Sequence, residues 1–411
     1  MGSVEILLGL LALMLLVPAL TFTLQVWMAR PAAAQQPDPI NAPRPRCVVL
    51  IPAHNESAGI VGTLKSVMPQ LAEGDAVLVV ADNCSDDTAA QARAAGATVV
   101  ERSNLEQRGK GYALDHGIRW LEQQALPPDV VIFIDADCSV SPGSIDRLAR
   151  ETQLRGGPVQ ALDLMHAPRG ASLQARVAEF AWLVKNQVRP LGMRAMGLPC
   201  QLMGTGMAMP WALIRDAHLA SGHLAEDMEL GLSLAQAGHF TSYCPQASVH
   251  SFFPTHSAGS QAQRRRWEHG HLSMIATRGL PLLARALRRG DRALLGIALD
   301  VCVPPLASLV AALLGWLVIT AGFWLLTGRG WPVVLVMIGL AGVSLSVLRA
   351  WRSFGREVIA ARELAGVPAY IIAKLPIYLE ALLGRRASWQ RARREGDEHA
   401  PDKPGGPAIK P

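Results

Sequence analysis

The stretch DVVIFIDADCSV, residues 129–140, decides the fold class. Its first half is a continuous apolar run rich in β-branched residues, which is typical of a strand buried on both faces of a sheet. Three similar runs precede it: CVVLIP at 47–52, AVLVVAD at 76–82 and ATVVE at 97–101. Helical segments separate these runs over roughly 90 residues, and this alternation predicts right-handed crossovers and a parallel α/β sheet.

The segments between and after these strands carry helical patterns. We expect helices at 57–68, 88–96, 111–124, 175–188 and 228–238. Glycine- and proline-rich turns separate the later helices. We therefore interpret 47–280 as one domain, with the later helices forming its second half.

Polar side chains follow three of the four predicted strands. AHNES follows the first at 53–57, DNCSDD ends the second at 82–87, and DAD ends the fourth at 135–137. In open α/β sheets, ligands bind beyond the carboxyl ends of the strands. Asn and Asp after a strand also form ordinary turns, and this alternative stays open for Asp86 and Asp87. Three such groups on one sheet predict a ligand site.

Two pairs of carboxylates suggest chemistry at this site. Asp135 and Asp137 would repel each other in a bare site, and Mg²⁺ or Mn²⁺ removes that cost by pairing carboxylates with substrate phosphates. Glu226 and Asp227 stand at the start of a predicted helix. They either complement the helix dipole or supply a general base aimed into the site.

The composition indicates a membrane protein. The chain has 411 residues, of which 50% are hydrophobic and 18% charged, and the apolar excess is localised. Residues 6–26 are nearly uncharged and long enough to cross a bilayer, which takes roughly 20 residues. A cleaved signal peptide is the alternative, but the acidic start MGSVE favours an uncleaved anchor. Two further apolar blocks, 293–326 and 331–348, are joined by the short turn TGRG and predict a hairpin of two spans.

Basic clusters indicate the orientation of these spans. They lie at 284–292, 349–356 and 384–394, and the positive-inside tendency places all three in the cytoplasm of a multi-pass inner-membrane protein. The apolar stretch 367–383 contains Lys374 and Glu380, so we expect an interfacial or re-entrant helix there. A basic surface facing lipid headgroups accounts for the net charge of +6, so no nucleic-acid partner is predicted. The six cysteines show no paired spacing, which argues against a zinc site or a disulfide framework.

These features divide the chain into five parts. We expect an anchor at 1–30, a proline-rich linker at 31–46, a cytoplasmic catalytic domain at 47–280, interfacial and transmembrane helices at 281–383, and a basic, disordered cytoplasmic tail at 384–411.

Six segments together resemble the membrane-bound branch of family 2 glycosyltransferases. That branch includes cellulose, hyaluronan and poly-N-acetylglucosamine synthases and the ceramide glucosyltransferases. The segments are VVLIPAHNES, VVADNCSDDT, RGKGYALDHG, DADCSV, LAEDMELG and QRRRWEHGH, in this order from about Cys47 to His271. The resemblance implies a GT-A, Rossmann-like nucleotide-sugar-binding domain with flanking transmembrane helices. It also implies an inverting, metal-dependent hexosyl- or N-acetylhexosaminyltransferase.

The resemblance further implies a role for each matching residue. Its implied donor site contains His54, Asn55 and Glu56 at the nucleotide end, Asp82 at the uracil or ribose of a UDP-sugar, Lys110 at the nucleotide or phosphate, and Asp135 and Asp137 at the metal and diphosphate. Asp227 is the implied base, with Glu226 beside it. The loop at 201–209, which contains Gly204 and Thr205, is implied to lie beside the donor and acceptor sugars.

The segment QRRRW matches the QxxRW motif of that branch. Gln263, Arg266 and Trp267 are spaced i, i+3 and i+4, so they share one face of a helix. The resemblance implies that Arg266 approaches the donor diphosphate and that Trp267 helps to form the acceptor site. Two departures from the branch, Ala81 before Asp82 and the pair Pro210–Trp211 after the glycine-containing loop, weaken any inference about the sugar.

Several hypotheses about function remain open. The acceptor is either a growing β-glycan of the exopolysaccharide type, which QxxRW favours, or a ceramide-type or other membrane lipid. A non-catalytic nucleotide-binding subunit would be expected to lack the base or a metal ligand, yet Asp135, Asp137 and Asp227 are all present. Asp300 lies near the start of the second apolar block. We expect it to mark the interfacial end of that span, with a polar translocation path as the alternative.

Overall fold

The computed structural model describes residues 2–31, 43–220, 225–253 and 268–366. The predictions for Gln263, Arg266 and Trp267, for the stretch 367–383 and for the tail at 384–411 lie outside the described residues.

Within the described residues, eight strands form one mixed sheet in the order β3-β2-β1-β4-β7-β6-β8-β5. The strands are β1 (Cys47–Ala53), β2 (Ala76–Asp82), β3 (Thr98–Arg102), β4 (Val130–Phe133), β5 (Ser139–Val140), β6 (Val159–His166), β7 (Met207–Pro210) and β8 (Ser242–Phe252). The pairs β1–β2, β1–β4 and β2–β3 are parallel, as the apolar runs predict. Beyond β4 the sheet is extended by strands that we did not predict, beginning with antiparallel β7.

The helices follow the predicted positions closely in the first half of the domain. The α-helices are α1 (Gly2–Met28), α2 (Ile60–Val67), α3 (Thr88–Ala94), α4 (Lys110–Glu122), α5 (Ser144–Arg155), α6 (Leu173–Leu183), α7 (Arg189–Ala195), α8 (Trp211–Ile214), α9 (Glu226–Gln236), α10 (Leu280–Arg289), α11 (Arg292–Val301), α12 (Leu306–Thr327) and α13 (Trp331–Ala350). A π-helical segment, Val184–Val188, connects α6 to α7.

The parallel strands are buried on both faces, as their unbroken apolar runs require. In β1, Val49 and Ile51 pack on one face with residues of α2 and α5, while Leu50 packs on the other with α4 and α9. Gly117 allows α4 to approach the sheet closely, because a Cβ at this position would lie 2.6 Å from Leu50 Cδ1. These contacts fix the strand ends relative to the helices that begin beside them.

Three of the described helices are long and apolar enough to cross a membrane: Gly2–Met28, Leu306–Thr327 and Trp331–Gly355. Glu5 forms an ion pair of 2.6 Å with Arg329 at one end of this group. At the other end, the Arg349 guanidinium donates to Trp27 O at 3.2 Å and lies over the Trp27 ring. The catalytic domain lies at this second end, where a Cβ on Gly192 of α7 would lie 1.8 Å from Gln25 O.

The prediction of one continuous span over 293–326 is wrong. The block is divided into α11, which ends at Val301, and α12, which begins at Leu306. Pro304 and Pro305 separate the two helices, because proline cannot donate the backbone hydrogen bond that would continue α11. The membrane-crossing candidate is therefore α12 alone, and α11 packs against the catalytic domain.

Asp300, which we expected to mark the interfacial end of a span, lies in α11, before the candidate span α12 begins. Asp300 belongs to α11 and is only 6% exposed. Its carboxylate forms an ion pair of 2.6 Å with Arg189 and accepts hydrogen bonds of 2.7 Å from Gln25 Nε2 and Gln201 Nε2. We call these four residues the Asp300 cluster. It joins the first candidate span to the catalytic domain, because a buried carboxylate needs such partners.

Candidate active site

A cavity of about 760 Å³ opens at the carboxyl ends of β1, β2 and β4. Every predicted site residue within the described chain lines it: His54, Asn55, Glu56, Asp82, Lys110, Asp135, Asp137, Gly204, Thr205, Glu226 and Asp227. The structure therefore brings together residues from positions 54 to 227, as expected for strand ends that meet at one edge.

One end of the cavity is formed where β1 and β2 end. His54 Nδ1 lies 2.7 Å from Asp82 O, which ties the two strand ends together. Asn55 and Asn83 both adopt left-handed backbone conformations with φ of +53°, which asparagine tolerates better than most residues. The chain can therefore turn sharply after each strand and present its side chains to the cavity.

Asp82 has a partner that we did not predict from the sequence. It is 5% exposed, and its Oδ1 accepts hydrogen bonds from Arg102 Nη1 at 2.6 Å and from Asn83 Nδ2 at 3.0 Å. Arg102 ends β3, and the parallel register pairs it directly with Asp82. The signal in the sequence was an opposite charge at the end of the neighbouring strand, which becomes visible only once the register is known.

Asp86 has a structural role, in agreement with the turn alternative. Its carboxylate accepts hydrogen bonds from Ser57 N at 3.2 Å and from Thr88 N at 3.1 Å, which join the loops after β1 and β2. Burial opposes ionisation, but the hydrogen bonds from Thr88 and Ser57 hold the pKa of Asp86 below its usual value.

Lys110 stands at the first position of α4 and faces the carboxylates. Its Nζ donates to Gly204 O at 2.9 Å and forms an ion pair with Asp135. Although burial opposes it, the carboxylate of Asp135 raises the pKa of Lys110 above its usual value. Burial, together with the nearby charge of Asp137, raises the pKa of Asp135 despite this ion pair. The positive charge of Lys110 thus lies where a diphosphate would need it.

Thr205 and Gln160 hold the loop that lies opposite the DAD segment. Thr205 Oγ1 accepts a hydrogen bond of 3.1 Å from the backbone N–H of Asp135. The fully buried Gln160 side chain donates to Thr205 O and accepts from Met203 N, both at 2.8 Å. Sequence reasoning missed Gln160, because a single glutamine in β6 carries no signal until its neighbours are known.

The acidic pair at the start of α9 faces the same loop. Asp227 Oδ1 accepts a hydrogen bond of 2.8 Å from Met228 N. A Cβ on Gly204, whose φ is +90°, would lie 3.4 Å from Asp227 Oδ2 and 3.6 Å from Lys110 Nζ. Glycine therefore leaves the space between the base candidate and the lysine open. Burial and the adjacent Asp227 raise the pKa of Glu226.

The carboxylates suit a hard divalent cation that also binds substrate. Asp135 and Asp137 both line the cavity and offer oxygen donors, which Mg²⁺ and Mn²⁺ prefer. Among the described residues, no group of three or more His, Cys, Asp or Glu side chains is arranged to hold a metal. A cation here would therefore take its remaining ligands from substrate and water, which is how Mg²⁺ commonly binds phosphates.

Comparison with known families now identifies the domain. The family described as Glycosyltransferase like family 2 matches residues 43–270, more than half of the chain. The chain belongs to this family. The matched residues include the eight strands and every cavity-lining residue except His271, and the family predicted from the six sequence segments is confirmed.

Two curated relatives match part of the chain. The chain is 38% identical over 96 residues to glucosyl-3-phosphoglycerate synthase of Mycobacterium tuberculosis, a match that covers 22% of this chain. It is 33% identical over 109 residues to 4,4'-diaponeurosporenoate glycosyltransferase of Staphylococcus aureus, a match that covers 26% of this chain. In both cases the match spans 28% of the relative's length.

A solved structure resembles nearly the whole chain. The mannosyltransferase PcManGT of Pyrobaculum calidifontis, solved in complex with GDP-Man and Mn²⁺, superposes with a TM-score of 0.53 at 17% identity. The superposition covers 93% of this chain and 99% of the mannosyltransferase. At this identity the likeness concerns the fold, and it confirms the predicted α/β GT-A architecture of the family 2 domain.

Proposed function

We propose that this family 2 enzyme transfers a sugar from a UDP-sugar to an acceptor hydroxyl at a membrane, with inversion at the anomeric carbon. One observation carries the proposal: Asp227, Lys110 and the Asp135–Asp137 pair line one cavity around Gly204. Such an arrangement places a base, a phosphate-binding cation and metal ligands within reach of one substrate.

The donor is a nucleoside diphosphate sugar. The mannosyltransferase of similar fold was solved with GDP-Man and Mn²⁺, which supports this donor class and a divalent cation, Mg²⁺ or Mn²⁺. We assign uracil as the nucleobase of the donor because the resemblance implies that Asp82 and His54 lie at the nucleotide end. When bound by Asp135 and Asp137, the cation would neutralise negative charge on the departing diphosphate.

The protein's own residues then perform the transfer. Asp227 takes the proton of the acceptor hydroxyl, and the acceptor oxygen attacks the anomeric carbon from the face opposite the diphosphate. The hydrogen bond from Met228 N orients Asp227 so that Oδ2 faces Gly204. Lys110 stabilises the diphosphate as it leaves. A single displacement inverts the configuration, so an α-linked donor yields a β-glycoside.

The orientation of the membrane helices agrees with a cytoplasmic active site. Arg349 and the basic helix α10 lie at the end of the candidate spans where the catalytic domain packs. By the positive-inside tendency this end is cytoplasmic, which is where UDP-sugars are available to an inner-membrane enzyme.

The acceptor reaches the cavity from the membrane side. A growing polysaccharide was our first prediction, and it depends on Gln263, Arg266 and Trp267, which lie outside the described residues. A membrane lipid was the alternative, and an apolar chamber beside the cavity favours it.

The test is transfer of radiolabel by membranes that contain the protein. UDP-glucose, UDP-N-acetylglucosamine and UDP-galactose are offered separately, with Mg²⁺ or Mn²⁺ and with EDTA. We expect Asp227→Asn to lower transfer by about 10² to 10⁴-fold, the usual contribution of a general base. Asp216→Asn, at a carboxylate that is 73% exposed, is the matched control and should leave transfer unchanged. Equal transfer by Asp227→Asn and wild type would overturn the assignment of the base.

A further inference from the structure

A second, apolar chamber of about 200 Å³ lies beside the catalytic cavity. Its apolar wall is formed by Phe22, Phe180, Val303, Ala307, Val310 and Val347. Phe22 belongs to α1, Val310 to α12 and Val347 to α13, so all three candidate spans contribute to the wall. The chamber therefore lies between the membrane helices and α6 of the catalytic domain.

The chamber and the catalytic cavity share part of their lining. Trp182, Lys185 and His271 line both. Lys185 Nζ lies 5.2 Å from the centre of the Trp182 ring. The His271 ring is 7% exposed and hydrogen-bonds to Val301 O at 3.0 Å. Burial, together with the nearby Lys185, lowers the pKa of His271 to about 4, so the ring is neutral at pH 7.

The two compartments differ sharply in chemistry. The cavity presents carboxylates and a lysine, whereas the far wall of the chamber presents side chains that offer no hydrogen bonds. Lys185, Arg189, Glu268 and His271 also line the chamber, but a sugar hydroxyl against the apolar wall would be left without a partner, which is costly. At roughly 30 Å³ for each water-sized group, the chamber holds on the order of seven methylenes. The apolar wall suits an alkyl chain, and the volume holds part of one.

We propose that the acceptor is a membrane lipid whose hydrocarbon chain occupies this chamber while its head-group hydroxyl lies beside Asp227. The inference rests on the proposed transferase function and names its acceptor class. In the reaction, the lipid hydroxyl gives its proton to Asp227 and its oxygen forms the new bond to the anomeric carbon. The bond from that carbon to the diphosphate breaks, and UDP leaves with the electron pair.

The test uses substitutions that fill the chamber and measures how the labelled sugar is divided between the organic and aqueous phases. Full-length protein in detergent receives a labelled UDP-sugar and a total lipid extract of the organism that carries the gene. Ala307→Trp and Ala181→Phe fill the chamber from opposite walls. Val318→Trp places the same indole on α12 at a position that is 73% exposed, and it is the matched control. UDP binding, measured by calorimetry, reports on the donor site in every variant.

We expect wild type and Val318→Trp to place the label in the organic phase. Ala307→Trp and Ala181→Phe should lower this label at least tenfold, with UDP affinity within twofold of wild type. Organic label that both chamber variants leave unchanged would overturn the proposal, and so would label found only in an aqueous polymer. Absence of UDP binding or of any transfer by wild type would instead contradict the proposed function itself.

Discussion

The two halves of the active-site cavity are built in different ways. The donor half comes from consecutive strand ends, so His54, Asp82 and Asp135 meet because parallel strands share one edge. The membrane-facing half depends on contacts between distant parts of the chain, such as the ion pair between Arg189 and Asp300. The sequence pattern of single segments is therefore enough to predict the residues of the first half, whereas the second half depends on how distant segments pack together.

One loop connects the two halves. Gln201 donates to Asp300, the carbonyl of Gly204 accepts from Lys110, and Thr205 Oγ1 accepts from the backbone of Asp135. The Asp300 cluster thus holds one end of the loop at Gln201. The other end of the loop, at Gly204 and Thr205, holds Lys110 and the DAD segment. Substitutions in the Asp300 cluster and substitutions in the loop itself should therefore have different effects on stability and activity.

The largest effect on stability is expected from breaking the Asp300 cluster. Asp300→Leu leaves the Arg189 guanidinium buried without its counter-ion, which typically costs about 3–5 kcal/mol. The double variant Asp300→Leu/Arg189→Met should recover most of the lost free energy of unfolding, because no buried charge is then left unpaired. Thermal unfolding in detergent, followed by intrinsic fluorescence, measures the effect.

The control for this change lies in the donor half. Glu101→Gln breaks a pair with Arg93 in which both side chains are at least half exposed, so a change below about 1 kcal/mol is expected. A similar loss from Asp300→Leu and Glu101→Gln would show that the membrane-facing half does not depend on its buried pair.

A smaller but more specific effect is expected from Gly204→Ala. The methyl group would make ordinary contacts with Asp227 Oδ2 and Lys110 Nζ, so it would crowd a substrate bound between them rather than the side chains themselves. The left-handed backbone adds about 1–2 kcal/mol of strain. We expect kcat/KM to fall by about 10²-fold in the transfer assay. Gly143→Ala, at φ of +79° with no atom within 4 Å of the added Cβ, carries the same backbone strain away from the site. Loss of activity in both variants alike would exclude the crowding explanation.

Thr205→Val tests the link between the loop and the metal ligands. Valine keeps the shape but removes the acceptor of the Asp135 N–H, and an unpaired buried donor costs about 1–3 kcal/mol. We expect the Mn²⁺ concentration for half-maximal activity to rise about tenfold. Thr152→Val is the control, since the buried Thr152 hydroxyl has no hydrogen-bond partner among the described residues. An unchanged Mn²⁺ requirement in Thr205→Val would mean that Asp135 is positioned without this bond.

A pH dependence of stability is expected from Asp163. Burial raises the pKa of Asp163 to about 8, and Asn186 Nδ2 donates to this carboxyl at 2.9 Å. The folded protein therefore keeps a proton that the unfolded chain releases near pH 4, so stability should fall as the pH rises from about 4 to 8. Asp163→Asn should flatten this part of the Tm profile. If Asp163→Asn leaves the slope of Tm against pH unchanged, the pH dependence comes from another group.

The sequence by itself determined the parallel half of the sheet, the fold class, the family and a set of residues that line one cavity. Continuous apolar runs mark buried strands, and the polar residues that follow them must meet at one edge. It also located three apolar blocks, because length and composition are local properties, but it missed the break between α11 and α12.

Only the tertiary structure decided the rest. The pairing of Arg102 with Asp82 depends on strand register, and the brace formed by Gln160 depends on which loop packs against β6. The burial of Asp300 and the apolar chamber at Ala307 arise where helices from distant positions pack together. These features depend on contacts between residues far apart in the chain, and the pattern of any one segment does not encode its partner.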